Sequence, residues 1–208
     1  MSNPDQSTTN LNILQVNVRG IRKKRGELKN FLERNKIHVA LIQETMLGPS
    51  STFDITNYDI HRTDGKNFKH GSAILIKSSI KHELITRHQS SQVNPKGTQE
   101  TLIIKIAMPS KTPIFICSVY NSPCNKINTE ILTQAFNEKD KVYLAGDFNS
   151  KSIEFGNRIN NQNGDRLLNF VETNKFILIN DGTHTHYDSR HNSSDILDLH
   201  RSSLKQPT

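Results

Sequence analysis

The chain has 208 residues, of which 33% are hydrophobic and 23% are charged, and this is enough for one domain with a sizeable core. Residues 1–10 lack the apolar stretch of a secretory signal, and no segment approaches the roughly 20 apolar residues of a membrane-spanning helix. The chain has two cysteines, Cys117 and Cys124, which are too few for a disulfide framework or a four-cysteine zinc site. A reducing intracellular compartment fits this cysteine content, and the formal net charge of +7 favours a polyanionic partner, nucleic acid first, with ordinary solubilising charge as the alternative.

Short apolar segments rich in Ile and Val recur along the chain and predict strands, while helical spacing of apolar residues predicts three helices. Consecutive strands from Ser72 to Tyr120 favour a mixed or antiparallel sheet system with helices packed outside, an α/β sandwich, over a doubly wound parallel sheet. After a disordered leader over residues 1–10, the predicted strands are Leu11–Val18, His38–Thr45, Ser72–Lys77, Thr101–Met108, Ile114–Tyr120, Lys141–Phe148 and Phe176–Asn180; the predicted helices are Glu27–Asn35, Thr129–Asn137 behind a possible Asn128 cap, and Asp165–Thr173; and the predicted loops are Gly65–Gly71 and Gln89–Gly97.

A basic run precedes the first predicted helix. Five cations lie within seven positions, namely Arg19, Arg22, Lys23, Lys24 and Arg25. Cations at the N-terminal end of a helix oppose the helix dipole, so a sequence that keeps them there is placing positive charge for a ligand. The alternative is a solvated loop.

Polar residues follow the apolar strands at the points where the strands end. Asn17, Glu44, Tyr120, Asp147 and Asn149 all occupy such positions. Carboxylates and amides at one sheet edge are the oxygen ligands that Mg²⁺ prefers, together with water and substrate phosphate. Taken singly, each of these positions is as typical of a solvated strand end or a simple turn.

Four motifs in this order carry a family resemblance: Asn17-Val18-Arg19-Gly20, Gln43-Glu44-Thr45, Ser118-Val119-Tyr120 and Gly146-Asp147-Phe148-Asn149. They resemble the endonuclease/exonuclease/phosphatase (DNase I-like) superfamily, which includes apurinic endonucleases. The chain is most similar to the endonuclease domain of jockey- and R1-like non-LTR retrotransposons, through the segment from Asn17 to Lys24 and through Asn163-Gly164 ahead of Leu167-Leu168. The resemblance runs from about Leu11 to about Leu199.

The resemblance implies a four-layered α/β sandwich of two mixed, mostly antiparallel sheets flanked by helices, and it implies DNA phosphodiester cleavage with Mg²⁺ or Mn²⁺. Glu44 matches the metal-ligating glutamate, and Asn17 matches the asparagine that helps to hold the metal. Asp147 matches the aspartate that orients or deprotonates the attacking water. Tyr120 and Asn149 match phosphate-contacting residues.

The family also carries a late aspartate, for which Asp198 is the best match and Asp195 the alternative. The implied partner is DNA, the implied location is the nucleus, and no membrane is involved. A reverse transcriptase is expected on the parent element, but its motifs are absent from this chain.

Two departures from the family pattern shape the expectations. Arg19 stands where apurinic endonucleases have an aspartate. Retrotransposon domains commonly lack this aspartate too. The family's final Ser-Asp-His motif is not found, so we expect a C-terminally incomplete domain over residues 11–199 and a polar tail over residues 200–208. A relic that binds DNA without cutting is therefore the main alternative function, and a superfamily phosphatase acting on a small phosphorylated molecule is a weaker one.

A histidine-rich stretch comprises His184, His186, His191 and His200. Its spacing fits no common zinc motif and no cysteine lies nearby, so exposed loop histidines or a DNA-facing loop are favoured over a zinc site.

Overall fold

The computed structural model describes residues 10–65, 69–90, 97–108, 112–134 and 140–179, and the backbone alone of three short strands beyond them. No helix in this described part is long and apolar enough to cross a membrane. The strands are β1 Ile13–Asn17, β2 Val39–Gln43, β3 Tyr58–Thr63, β4 Ser72–Lys77, β5 His82–Ser90, β6 Gln99–Ile106, β7 Ile114–Asn121, β8 Lys141–Asp147, β9 Ile177–Leu178, β10 His186–Asp188, β11 Ser193–Asp195 and β12 Asp198–Ser202, and the α-helices are α1 Arg25–Arg34, α2 Glu130–Thr133 and α3 Gln162–Thr173.

The strands form two main sheets of mixed direction. The first has the order β1-β2-β4-β3, and the second has the order β5-β6-β7-β8-β12-β9, while β10 and β11 form a separate hairpin. Only two neighbouring pairs within the main sheets are parallel, β1 with β2 and β7 with β8. A parallel pair needs a crossover connection, and helix α1 lies in the crossover from β1 to β2.

Alternating side chains of the strands fill three apolar layers. Val39 and Leu41 of β2 face Leu102 and Ile104 of β6 in the layer between the two sheets. The other face of the first sheet packs against α1, and the other face of the second sheet packs against α3. The layers therefore follow the order helix, sheet, sheet, helix, which confirms the predicted four-layered sandwich. Strands such as β2 are apolar at successive positions because both of their faces are covered.

The structure corrects several predicted bounds. Strands β3 and β5 and the hairpin of β10 and β11 lie outside the predicted strands. Strands β3 and β5 are edge strands of their sheets, and β5 also takes in Gln89 and Ser90 from a predicted loop. Helix α3 begins three residues earlier than predicted, because the Asn161 side chain accepts a hydrogen bond from Gly164 N at 2.7 Å and caps it. The Asn128 side chain accepts from Glu130 N at 2.9 Å, as expected of a cap for α2.

The first residues of the predicted polar tail, residues 200–202, have strand structure. These residues belong to β12, which pairs antiparallel with β8 and also with β9. The ladder uses backbone N–H and C=O groups, so a polar segment can occupy an inner strand position. The leader over residues 1–9 and the tail from residue 203 lie outside the described residues.

Strand register brings the predicted polar residues to one end of both sheets. Asn17 lies opposite Gln43 at the end of β1 and β2. Tyr120 lies opposite Asp147 at the end of β7 and β8. The two parallel pairs thus end side by side, and we call this edge of the two sheets the rim.

Candidate active site

The Asn17 side chain is the centre of the rim. Its Nδ2 donates one hydrogen bond to Glu44 Oε1 at 2.9 Å and another to Asp147 Oδ2 at 3.0 Å. Its Oδ1 accepts from the backbone N–H of Arg19 at 3.2 Å. One amide therefore holds two carboxylates together, and these carboxylates come from different sheets.

Asp147 is held from its other side by Asn149. Oδ1 of Asp147 accepts from the Asn149 backbone N–H at 3.2 Å and from Asn149 Nδ2 at 2.8 Å. Nδ2 of Asn149 also donates to the backbone carbonyl of Asn121 at 2.9 Å. Asp147 is only 6% exposed, so its carboxylate has a fixed orientation toward the rim.

Tyr120 places a buried phenol next to these carboxylates. Burial raises the pKa of Tyr120 far above its ordinary value, and the negative charges of Glu44, Asp147 and Glu100 and a hydrogen bond with Glu44 raise it further. The phenol therefore keeps its proton at any physiological pH and can donate it to an acceptor, such as a phosphate oxygen. It cannot serve as a base.

His70 also reaches the rim, although the sequence analysis did not select it. Its Nδ1 lies 3.1 Å from the Tyr120 hydroxyl. Burial lowers the pKa of His70; the charge of Glu44 opposes this shift, and Lys69 adds to it. The only sequence signal was its position directly before Gly71 and the start of β4.

Glu100 is a second residue that the sequence analysis missed. It is fully buried, and its carboxylate accepts from Gly71 N at 3.0 Å, Ser72 Oγ at 2.5 Å and Gln89 Nε2 at 3.0 Å. Burial raises the pKa of Glu100, and these donors partly offset that shift. Glu100 thereby fastens the turn that carries His70 to the second sheet.

Backbone strain is concentrated at the rim. Five of the eight described non-glycine residues with positive φ lie there: Arg19, Glu44, Met46, His70 and Asn149. Backbone hydrogen bonds hold these turns, since Gly20 N donates to Glu44 O and Met46 N donates to His70 O, each at 2.8 Å. Such conformations persist only where the surroundings fix them, and they cluster at functional sites.

The Asn163-Gly164 pair of the sequence motif supports the loop after β7. Asn163 is buried, donates to the backbone carbonyl of Asn125 at 2.8 Å, and accepts from Ile127 N at 3.0 Å. Asn163 therefore positions the chain that follows Tyr120.

The basic run divides into two groups. Three of its members contact the protein itself: Arg22 donates to Ser51 Oγ at 2.6 Å, Lys24 donates to the carbonyl of Val18, and Arg25 forms an ion pair with Asp54 at 2.5 Å. All five residues of the run are exposed, and Arg19 and Lys23 form the second group, with Arg19 in the turn beside Asn17.

The late aspartates occupy different places in the backbone. Asp198 begins β12 and lies at the register position opposite Asp147, whereas Asp195 pairs with His186 in the separate hairpin. The register thus favours Asp198 as the aspartate of the rim. The side chains of both aspartates and of the histidine-rich stretch lie outside the described residues.

The donor set of the rim fits a hard divalent cation. Within the described side chains no group of three or more His, Cys, Asp and Glu residues could hold a metal ion. Glu44 and Asp147 are nevertheless held together by one amide, and one or two carboxylates plus water and phosphate are the usual ligands of Mg²⁺. Of the two cysteines, Cys117 is buried in the core and Cys124 is exposed.

Known proteins match this chain in both sequence and fold. A family described as "Endonuclease-reverse transcriptase" matches residues 114–205. The probable RNA-directed DNA polymerase from transposon X-element of Drosophila melanogaster is 30% identical over 181 residues, which are 85% of this chain and 19% of that protein. The RNA-directed DNA polymerase from mobile element jockey, also of Drosophila melanogaster, is 24% identical over 176 residues, which are 82% of this chain and 18% of that protein.

The chain thus spans about a fifth of the length of these curated relatives. Among solved structures, the endonuclease domain of TRAS1, a telomere-specific non-LTR retrotransposon, matches with a TM-score of 0.70 at 17% identity, over 93% of this chain and 85% of that chain. Sequence and fold together confirm the resemblance of this chain to the endonuclease domains of non-LTR retrotransposons, within the endonuclease/exonuclease/phosphatase superfamily.

Proposed function

We propose that this chain is a Mg²⁺- or Mn²⁺-dependent endonuclease domain that nicks target DNA, so that the parent element can start reverse transcription. The observation that carries the proposal is the double hydrogen bond from Asn17 to Glu44 and Asp147. It holds two carboxylates at one rim, beside a phenol that stays protonated.

Each residue has a role that follows from its chemistry. Glu44 would hold the metal, with Asn17 fixing the direction of its carboxylate and Asp198 as a further acidic residue on the adjacent strand. When bound there, the metal would neutralise negative charge on the phosphate oxygens. Asp147, fixed by Asn149 and Asn17, accepts a proton from the attacking water. Tyr120 stays protonated and donates a hydrogen bond to a phosphate oxygen.

The DNA-facing surface that we propose is smaller than the whole basic run. All five cations are exposed, but Arg22, Lys24 and Arg25 also bind Ser51, Val18 and Asp54, so Arg19 and Lys23 are the members that we assign to phosphate contacts. Cleavage of chromosomal DNA would place the activity in the nucleus.

The test is nicking of supercoiled plasmid by the wild-type chain in Mg²⁺ and in EDTA, with Glu44→Ala and Asp147→Ala as variants. We expect nicking only with Mg²⁺, and we expect each variant to be slower by about 10²–10³-fold. Glu83→Ala is the matched control. Glu83 is an exposed carboxylate near the start of β5, at the end of the second sheet that lies away from the rim.

Two results would contradict the proposal. Equal nicking by the wild type and both variants would show that the rim is not the active site. Tight DNA binding with no Mg²⁺-dependent nicking would instead favour the relic that binds DNA without cutting. Release of phosphate from inositol phosphates, assayed beside the plasmid, would indicate the phosphatase alternative.

A further inference from the structure

The turn between β3 and β4 brings His70 against Tyr120. His70 Nδ1 lies 3.1 Å from the Tyr120 hydroxyl, and the two ring centroids are 5.6 Å apart with a tilt of 40°. Tyr120 is 3% exposed, so water has little access to this contact. The contact joins the two sheets at the rim, since His70 lies two residues before the start of β4 and Tyr120 lies in β7.

The backbone fixes His70 independently of its ring. Its φ of +64° is a left-handed conformation, and its carbonyl accepts from Met46 N at 2.8 Å. The next residue, Gly71, is held from two sides. Its carbonyl accepts from Thr45 N at 2.8 Å, and its N–H donates to the buried carboxylate of Glu100 at 3.0 Å. A buried carboxylate needs such donors, so the turn and Glu100 stabilise each other.

The hydrogen-bonding capacity of the phenol determines what His70 can contribute. A tyrosine hydroxyl has one proton to donate and oxygen lone pairs that accept. The negatively charged carboxylates of Glu44 and Asp147 lie near the phenol at the rim, and an ionised carboxylate can only accept, so the phenol is the donor toward them. The Tyr120 oxygen then needs a donor, and the nitrogen that lies within reach is Nδ1 of His70.

We propose that His70 is a positioning residue that donates its Nδ1–H to the Tyr120 oxygen and so directs the phenol proton into the rim. With its oxygen held in this way, the hydroxyl can donate its hydrogen bond only to Glu44 or to a phosphate oxygen that binds beside it. The inference rests on the proposed phosphodiesterase function, to which it adds a residue that acts through Tyr120.

The first test needs neither metal nor DNA. Two-bond ¹H–¹⁵N correlation spectra of the metal-free chain at pH 8 report which ring nitrogen of each histidine carries the proton. We expect the His70 ring to carry its proton on Nδ1, and we expect Tyr120→Phe to shift its signals. A His70 ring protonated only on Nε2 would overturn the inference, because Nδ1 would then be the acceptor.

The second test measures single-turnover DNA cleavage and DNA Kd for His70→Gly and His70→Asn. Glycine accepts a positive φ without strain, and asparagine tolerates it and keeps a side-chain N–H donor. We expect His70→Gly to cleave about 10–30-fold more slowly with unchanged Kd, and His70→Asn to recover to within about threefold of the wild type. In a Tyr120→Phe background, His70→Gly should cost less than about twofold, because the two residues act as one unit.

An equal loss from His70→Gly in both backgrounds would overturn the inference, and so would His70→Asn being as slow as His70→Gly. Thermal melting of each variant separates loss of fold from loss of rate. Absence of Mg²⁺-dependent cleavage by the wild type would overturn the proposed function and the catalytic part of this inference together. The Nε2 tautomer, in contrast, would overturn the inference alone.

Discussion

At the scale of single residues, the central device of the rim is an amide placed between two carboxylates. Glu44 and Asp147 both contact the Asn17 amide, and two negative charges this near to each other repel when they are partly shielded from water. The two N–H groups of Asn17 Nδ2 offset that repulsion and fix both side chains at 2.9 and 3.0 Å. A neutral donor does this without adding positive charge, so the net negative charge of the rim stays available for a cation.

The first prediction is that Asn17→Asp disrupts the site although it changes only one atom type. It replaces the donating amide by a third carboxylate, and loss of such a donor costs about 1–3 kcal/mol, so we expect cleavage to fall by about 10–100-fold. Asn30→Asp, at an exposed position of α1, is the matched control and should cleave at the wild-type rate. Wild-type cleavage by Asn17→Asp in a single-turnover assay would contradict the role given to the amide.

The site residues that sequence can predict are those at or directly after the end of an apolar strand, such as Asn17, Glu44 and Asp147. Their place at the rim follows from strand polarity alone once the strands are identified. His70 and Glu100 could not be predicted in this way, because their roles depend on contacts between segments far apart in the chain. Their contacts join residues that are 50 and 29 positions apart.

At the scale of elements, Gly146 makes the parallel pair of β7 and β8 possible. A Cβ atom at this position would lie 1.8 Å from the carbonyl oxygen of Val119 on the neighbouring strand. The same pair holds Tyr120 opposite Asp147. Glycine is therefore needed at position 146 because a Cβ atom would clash with the neighbouring strand. This requirement is separate from any contact with substrate.

The second prediction concerns stability, measured by chemical denaturation. Gly146→Ala must push β7 and β8 apart, and overpacking of this kind destabilises a fold by about 1–3 kcal/mol. Gly26→Ala is the matched control, since a Cβ there meets nothing within 4 Å and alanine favours a helix by about 0.5–1 kcal/mol. Equal stability of Gly146→Ala and the wild type would show that the strands can separate at no cost.

The elements that sequence predicts well are those with both faces covered, such as β2, β4 and β7. Their apolar runs have no other common interpretation. The strands β3 and β5 are edge strands with many polar residues, and β5 alternates between half-buried and exposed positions along its length. Such a pattern resembles a surface loop until the neighbouring strand is known.

At the scale of the whole molecule, polar contacts join the two sheets in addition to the apolar layer between them. Gln43 is fully buried and donates from Nε2 to Ser118 Oγ across the sheets at 3.1 Å, directly beneath the rim. His61 of β3 and His82 of β5 meet at their Nε2 atoms at 2.9 Å, between the outer edges of the sheets. Since the rim draws residues from both sheets, its geometry depends on these contacts.

The third prediction is that stability depends on pH because of protonation at the His61–His82 pair. Burial lowers the pKa of His61, the charges of His82 and Arg87 add to this, and Asp59 opposes it. The folded chain thus binds a proton at His61 less readily than the unfolded chain. Stability is not reduced by this group above the ordinary histidine pKa of about 6.5, and it falls as the pH drops from there through the lowered pKa.

Urea denaturation at pH 7.5, 6.5 and 5.5 measures this effect. We expect the wild type to lose more unfolding free energy across this range than His61→Asn does. The His38 and His70 pKa values are also lowered, so part of the dependence should remain in the variant. His88→Asn, on the same strand as His82, leaves the pair intact and should keep the wild-type dependence. Parallel curves for His61→Asn and the wild type would exclude the pair as a cause.

If the rim cuts DNA, Asp147 acts in the cutting step. The most direct measurement is the single-turnover cleavage rate of an end-labelled duplex in Mg²⁺, determined together with DNA Kd, for the wild type and Asp147→Asn. Loss of this carboxylate should lower the cleavage rate by about 10²–10⁴-fold while Kd changes by less than about threefold. Cleavage by Asp147→Asn at a rate within about threefold of the wild type would contradict the account.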